Sequence, residues 1–104
     1  MVEGSVAAVT QFGRTEVSIQ IWEAEAGVVY GWRIETGSCQ ASGTIQGGPA
    51  FYPPLEPGSA GAAEAVAVLT ALFRPDSQLA ARVFRTDQGG SEVVVACGEL
   101  QQTR

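Results

Sequence analysis

The chain contains no histidine and no lysine. Histidine is the usual ligand for copper and zinc and the usual general base near neutral pH, so its absence removes the commonest routes to metal binding and acid–base catalysis. All six basic residues are arginines, and 11 acidic residues bring the net charge to −5. A chain of this charge lacks the basic surface that binds a phosphate backbone. We therefore expect neither nucleic acid nor an anionic membrane as a partner.

The chain also lacks a long apolar run. The longest, Ala60–Phe73, is interrupted by Glu64 and falls short of the ~20 residues that a membrane-spanning helix needs. Residues 1–4 lack the basic start and apolar core of an export signal. We therefore expect no membrane insertion by this segment, and a protein that is either cytoplasmic or freed of its export signal.

The composition favours a single small domain built from strands. The 104 residues are enough for one hydrophobic core, and the 13 glycines and 5 prolines suit many short strands joined by turns. We therefore treat residues 1–104 as one all-β domain.

Several runs alternate apolar and polar residues with the period of a strand that has one buried face. The runs predicted as strands are Ser5–Val9, Glu16–Trp22, Val28–Glu35, Gly43–Gln46, Ala62–Phe73, Gln78–Thr86 and Glu92–Cys97. A turn around Gly13 would join the first two into a hairpin. The run Ala62–Phe73 is rich in alanine and leucine and would also suit a helix, so its assignment stays open on the residues alone.

The third predicted strand has two chemically different faces. The side chains expected in the core are Tyr30, Trp32 and Ile34. Arg33 and Glu35 lie on the other face, and residues two apart on a strand point the same way. We expect them to form an ion pair, joined by Arg82 or Arg85 from another strand. The alternative is a small anion or carboxylate site built on the arginines.

Three aromatic residues are candidate contacts for a protein partner or for a second copy of the chain. Trp22 falls on the polar face of its strand, although a partly covered surface aromatic is the simpler interpretation. Phe51 and Tyr52 lie in the irregular stretch Gln40–Gly61, which is too rich in large apolar residues to be a free linker.

The two cysteines, Cys39 and Cys97, each stand at the end of an apolar run and form no CxxC pair. This pattern indicates one disulfide, while a reactive thiol near Arg33 is the alternative. Well-spaced cysteines in so small a chain favour an oxidising compartment. We therefore expect a periplasmic or extracellular domain rather than a cytoplasmic one.

Several short motifs resemble the copper/zinc superoxide dismutase family. GWRIETGSC at Gly31–Cys39 resembles the family's WHVHxGxC-like strand, and VACG at Val95–Gly98 resembles its late ACG motif. YPPL at Tyr52–Leu55 resembles a segment of bacterial dismutase-like domains. The resemblance implies a Greek-key, immunoglobulin-like β-sandwich of seven or eight strands with a Cys39–Cys97 disulfide, and it favours a strand for Ala62–Phe73.

The same resemblance implies that the family's metal site has been lost. The copper-binding histidines of the family correspond here to Arg33, Glu35 and Phe84, and the long loop carries neither histidine nor aspartate. Arginine and phenylalanine do not ligate copper, so we expect no cofactor and no enzyme activity. The expected function is a structural or interaction module, such as an accessory subunit of an exported or membrane-attached assembly. The alternatives are a dismutase-related enzyme or metal carrier with a non-standard site, and a small-ligand-binding exported domain.

Overall fold

The computed structural model describes residues 2–45, 51–69, 78–87 and 89–100. Within these ranges the chain is all-β, without an α-helix, and its strands form two antiparallel sheets. The strands are β1 (Glu3–Gln11), β2 (Arg14–Trp22), β3 (Gly31–Gly37), β4 (Ser42–Ile45), β5 (Ala63–Leu69), β6 (Leu79–Thr86) and β7 (Glu92–Leu100). In the described part of the chain, no helix has the length and apolar character needed to cross a membrane.

The helix alternative for Ala62–Phe73 is wrong for the residues that the structure describes. Ala63–Leu69 forms β5, which pairs with β2 and buries Ala67 and Leu69 against the core. The alternating pattern of this run therefore outweighs the helix propensity of alanine and leucine, because a strand lets the run bury one face against the core. Residues 70–73 of this run, and Gln46 at the end of another, lie outside the described residues.

One sheet has the strand order β1-β2-β5 and the other has the order β4-β3-β6-β7. The chain passes from the first sheet to the second after β2, returns to the first for β5, and crosses again to reach β6. The predicted hairpin at the start of the chain is confirmed. It turns at Phe12 and Gly13, whose φ angles of 53° and 77° are those of a two-residue turn that matches the twist of the strands.

The third strand begins at Gly31 rather than at the predicted Val28. Tyr30 is instead paired with Leu55 of the long connection, through backbone hydrogen bonds of 2.9 and 2.8 Å in the two directions. Of the two valines before it, Val28 packs partly buried against the core and Val29 is exposed. Tyr30 pairs with a distant loop instead of continuing the strand, and the local alternation of residues does not predict such pairing.

The core lies between the two sheets. Its buried members come from both sheets and from the long connection, and the largest among them are Val17, Ile19, Ile21, Tyr30, Trp32, Ile34, Tyr52, Leu55, Leu69, Leu79, Val83 and Leu100. The predicted inward face of the third strand is therefore confirmed. Trp32 is 2% exposed, and its indole Nε1 donates to the backbone oxygen of Pro53 at 2.6 Å, which satisfies its one polar group.

Tyr52, predicted as a contact for a partner, is a core residue. It is 7% exposed, and its ring meets that of Trp32 edge to face, with centroids 5.0 Å apart and an interplanar angle of 69°. The prediction is wrong because the long connection folds back over the sandwich and buries this ring. Phe51, the residue before it, is exposed.

The predicted disulfide between Cys39 and Cys97 is confirmed, with a Cα–Cα distance of 5.8 Å. It joins the loop that follows β3 to the middle of β7, two segments that are 58 residues apart in sequence. These segments are not hydrogen-bonded neighbours in the sheet, because β6 lies between β3 and β7. The disulfide thus ties the loop across β6 to the outer strand.

Replacing both cysteines by alanine should lower the free energy of unfolding by about 4 kcal/mol. A bond that closes a loop of 58 residues removes this much chain entropy from the unfolded state. Urea unfolding of the double variant and of the oxidised wild type would measure the difference. Unchanged stability, or two free thiols in the mass spectrum of the non-reduced wild type, would contradict the assignment.

Trp32→Ala should cost about 3 to 5 kcal/mol, because it deletes a large buried aromatic and leaves a cavity beside Tyr52. Trp22→Ala is the matched control, since Trp22 is 40% exposed and its loss should cost less than about 1 kcal/mol. Urea unfolding of both variants gives the comparison. Equal costs would contradict the burial of Trp32 relative to Trp22.

Candidate functional site

The three residues that the motif resemblance aligns with copper ligands, Arg33, Glu35 and Phe84, lie close together on neighbouring strands. In the β3–β6 pairing, Gly31 is opposite Phe84 and Arg33 is opposite Arg82. Residues two apart on a strand share a face, so Arg33, Glu35 and Phe84 all project from the outer side of this sheet. The predicted proximity of these three residues is confirmed, although Phe84 is about fifty residues away in the chain.

The Arg33 guanidinium lies over the Phe84 ring, with its central carbon 4.7 Å from the ring centroid. This is the geometry of a cation–π contact. The ring itself crosses over Gly31, where an added Cβ would lie 2.5 Å from the Phe84 Cζ. Only glycine leaves room for the ring at this point, so Gly31 is part of the arrangement.

Glu35 is the centre of the charged residues on this face. Its carboxylate accepts from Arg33 Nε at 2.5 Å and from Arg82 Nε at 3.0 Å, one guanidinium on each oxygen. The whole residue is only 3% exposed. A buried carboxylate is tolerated because two cations and their hydrogen bonds compensate for its loss of hydration.

Arg82 is 8% exposed and connects this carboxylate to the disulfide. Its Nη2 donates to the backbone oxygen of Ser38 at 2.7 Å, and its Nη1 lies 3.7 Å from the Cys97 sulfur. Arg82 is therefore the arginine that joins Arg33 and Glu35. Arg85, the other candidate, lies 3.9 Å from Glu25 instead, because its side chain is exposed further along β6.

Glu92 is a member of the cluster that the sequence did not identify. Its carboxylate accepts from Arg33 Nη1 at 2.8 Å, and its side chain is about half exposed. Glu92 begins β7 and is 59 residues from Arg33, and its position after a glycine-rich turn resembles that of an ordinary surface glutamate. Only the strand order β3-β6-β7 brings the two residues together.

The ion pairs shift two pKa values. Burial alone would raise the pKa of Glu35, but hydrogen bonds from Arg33 and Arg82, together with their positive charges, outweigh it and hold the pKa below its ordinary value. Burial likewise opposes the charged form of Arg33, yet the hydrogen bonds to Glu35 and Glu92 raise its pKa. Both groups are therefore charged at neutral pH.

The cluster does not fit a copper or zinc ion. Arginine donates hydrogen bonds and offers no lone pair to a metal, and Phe84 has no donor atom. Both oxygens of Glu35 are already engaged by guanidinium groups. Among the described residues, no group of three or more histidine, cysteine, aspartate or glutamate side chains is arranged to hold a metal.

The cluster is also balanced in charge. Arg33 and Arg82 face Glu35 and Glu92, so two positive charges meet two negative ones. A small anion bound to these arginines would have to displace a carboxylate that already makes short hydrogen bonds with them. The geometry thus favours an internal ion-pair network over a ligand site at this face.

The two remaining candidate contacts are at the surface. Trp22 is 40% exposed and Phe51 is 42% exposed. The Trp22 indole Nε1 donates to the Glu3 carboxylate of the neighbouring strand at 3.1 Å, which orients the ring at the end of the β1–β2 pair. Both side chains are accessible to another molecule, and no described contact joins them to the Arg33–Glu35 cluster.

Comparison with protein-family models, with curated proteins and with solved structures finds no match to this chain. The dismutase resemblance therefore rests on the motifs of the sequence alone.

Glu35→Gln should remove about 3 kcal/mol of stability at pH 7, because it leaves the nearly buried Arg82 without its charged partner. The free energy of unfolding of this variant should also decrease less than that of the wild type as the pH is lowered. The pKa of Glu35 is depressed in the folded state, so its stabilisation is complete above the ordinary carboxyl value of about 4.3 and is lost as the pH falls through the folded value.

Urea unfolding between about pH 7 and pH 3 would measure this effect. Glu16→Gln is the matched control, since Glu16 is an exposed carboxylate on β2. We expect the free energy of unfolding of the control to fall with pH as steeply as that of the wild type. For Glu35→Gln we expect it to fall less steeply. Identical acid dependence in all three proteins would show that the Glu35 ion pairs contribute no net stability.

Proposed function

We propose that this chain is a metal-free, non-catalytic domain of superoxide dismutase-like architecture that acts as a structural or protein-interaction module. Its place is in an exported or membrane-attached assembly, as an accessory subunit in the periplasm or outside the cell. The fold in this proposal is a Greek-key, immunoglobulin-like β-sandwich of seven or eight strands.

The strand order supports the Greek-key part of the proposal. In a Greek key, the fourth strand returns to lie beside the first of three consecutive strands. Here β6 pairs with β3, which also pairs with β4, while β5 lies in the other sheet. The return of β6 to lie beside β3, on the side away from β4, is the feature that supports this topology.

The observation that carries the functional proposal is the ion-pair network at the three ligand positions. Arg33, Glu35 and Phe84 come together as the dismutase resemblance implies, but they join a cation, a doubly paired carboxylate and an aromatic ring. These groups hold one another in place, with each Glu35 oxygen accepting from a guanidinium, and they include no histidine, the usual metal ligand and general base. A domain whose candidate site is filled by internal contacts is what we expect of a structural or protein-interaction module.

Two further observations favour an interaction role in an oxidising compartment. The disulfide between Cys39 and Cys97 is of the kind that persists outside the cytosol. Trp22 and Phe51 present large apolar side chains at the surface. Aromatic residues of this kind are enriched where proteins meet.

Purified protein incubated with copper and zinc salts and then dialysed should retain less than about 0.1 metal ion per chain, because the carboxylates of the cluster are paired with arginines and the cluster has no histidine. Neither salt should raise the melting temperature, since a metal that binds the folded state would stabilise it. Elemental analysis, thermal unfolding and a superoxide-scavenging assay would measure these outcomes.

Stoichiometric copper with metal-dependent scavenging would overturn the proposal in favour of a dismutase-related enzyme or metal carrier. The Glu35→Gln variant then locates the metal. Loss of the metal in this variant would place the site at the Arg33–Glu35 cluster, and its retention would place the site elsewhere in the chain.

A further inference from the structure

The disulfide lies on the outer face of the β4-β3-β6-β7 sheet, next to the charged cluster. Cys97 is opposite Arg82 in the β6–β7 pairing, so its side chain projects from the face that also carries Arg33 and Glu35. Cys39 reaches this face from the loop that follows β3. Both cysteines are only partly buried. The bond is therefore at the surface of the sheet rather than in the core.

The two cysteines have different electrostatic surroundings. The Arg82 Nη1 lies 3.7 Å from the Cys97 sulfur, within the reach of an N–H···S hydrogen bond. Cys39 has a carboxylate beside it instead, because its backbone N–H donates to Glu99 at 3.4 Å. A sulfur that becomes negatively charged is stabilised by a guanidinium and destabilised by a carboxylate. The surroundings therefore favour a thiolate at Cys97 over one at Cys39.

Arg82 is held in position before any charge develops on the sulfur. It is 8% exposed, its Nε donates to Glu35, and its Nη2 donates to the Ser38 backbone oxygen. These two contacts leave Nη1 directed at Cys97. A donor fixed in advance needs no rearrangement when a negative charge forms next to it. Because Glu35 also accepts from Arg33, its charge is shared between two guanidinium groups rather than neutralising Arg82 alone.

Thiol–disulfide exchange begins when a thiolate attacks one sulfur of a disulfide and the other sulfur leaves. The reaction is faster when the leaving sulfur carries negative charge more easily. In this protein that sulfur is the one of Cys97, so the sulfur that is attacked is the one of Cys39.

We propose that Cys39 is a site of reversible modification by a low-molecular-weight thiol. The thiolate of the small molecule forms a new S–S bond with the Cys39 sulfur. The Cys39–Cys97 bond breaks, and its electron pair leaves on the Cys97 sulfur beside Arg82. One disulfide replaces another, so the small thiol is the only co-reactant. This inference goes beyond the proposed function and does not rest on it.

The modification is reversible because the loop has other contacts with the sheet. The Ser38 oxygen accepts from Arg82, the Cys39 N–H donates to Glu99, and the Gly37 N–H donates to the Gln78 oxygen at 2.8 Å. These contacts do not involve the S–S bond, so they keep the modified cysteine near the Cys97 thiolate. That thiolate can attack the Cys39 sulfur at a high effective concentration and expel the small thiol.

The test measures which cysteine carries the small thiol. The disulfide-bonded protein is incubated briefly with 2-mercaptoethanol, whose only charge is that of its thiolate, and free thiols are then capped with N-ethylmaleimide. Cleavage after arginine separates the two cysteines, since Arg82 and Arg85 lie between them. Mass spectrometry of the two peptides should show the adduct on Cys39 at least about fivefold more often than on Cys97, because the leaving thiolate is stabilised by a charge-assisted hydrogen bond.

The same reaction on the chain unfolded in urea is the reference. Unfolding removes the contact of Arg82 with Cys97 and that of Glu99 with Cys39. The two sulfurs then have similar surroundings, and the ratio of the two adducts should fall to within about twofold of one. This comparison needs only the wild-type protein.

A double variant and its matched control assign the effect to Arg82. Arg82→Gln with Glu35→Gln removes the guanidinium together with its buried carboxylate, so neither charge is left without the other. The ratio of the adducts should fall about threefold or more in this variant. Glu35→Gln alone keeps Arg82 and removes the negative charge that competes for it, so the ratio should equal or exceed that of the wild type.

An adduct found mainly on Cys97, or shared equally by the two cysteines in the folded protein, would overturn the inference. So would a ratio that unfolding leaves unchanged, a folded double variant with the wild-type ratio, or an adduct that forms only after unfolding. None of these measurements depends on metal content or superoxide scavenging, so they test this inference separately from the proposed function.

Discussion

The pairing of the Glu35 carboxylate with Arg82 is the interaction on which the rest of the β4-β3-β6-β7 sheet depends. Both residues are nearly buried, on adjacent strands, and each would be a costly isolated charge without the other. Arg82 also holds the Ser38 carbonyl and lies against the Cys97 sulfur, so one guanidinium anchors the loop that the disulfide closes. The covalent bond and the ion pair thus restrain the same junction between the loop and the sheet.

The two sides of this sheet differ in how their space is filled. Inside, Trp32 and its aromatic neighbour from the long connection pack to a closed core. Outside, Glu35 accepts hydrogen bonds from Arg33 and Arg82, so the charged groups of this face are paired with one another. A cleft between the edge strands β1 and β7 is different, because small side chains leave an apolar floor and strand edges accessible there. Open strand edges beside an apolar floor are features on which a protein surface can recognise another molecule.

Some of the errors in prediction have a common physical origin. Tyr52 was predicted as a partner contact and Glu92 was not identified at all, because nothing in their neighbouring residues indicates what the fold brings next to them. The start of the third strand was misplaced for the same reason, since Tyr30 pairs with Leu55 of a distant loop. By contrast, Arg33 and Glu35 were predicted to pair because two residues on one strand face need no tertiary information to meet.

The sequence by itself determined the class of the fold and the pairing of its two cysteines. Alternation with period two sets which faces are buried wherever a strand has one apolar side, two cysteines in a small chain indicate the disulfide, and a chain without histidine lacks the usual metal ligand. The tertiary structure alone decided that Arg82 rather than Arg85 completes the cluster, that Glu92 joins it, and that a cleft separates β1 from β7. These features depend on strand order and register between segments far apart in the chain, and a local pattern of residues carries no information about either.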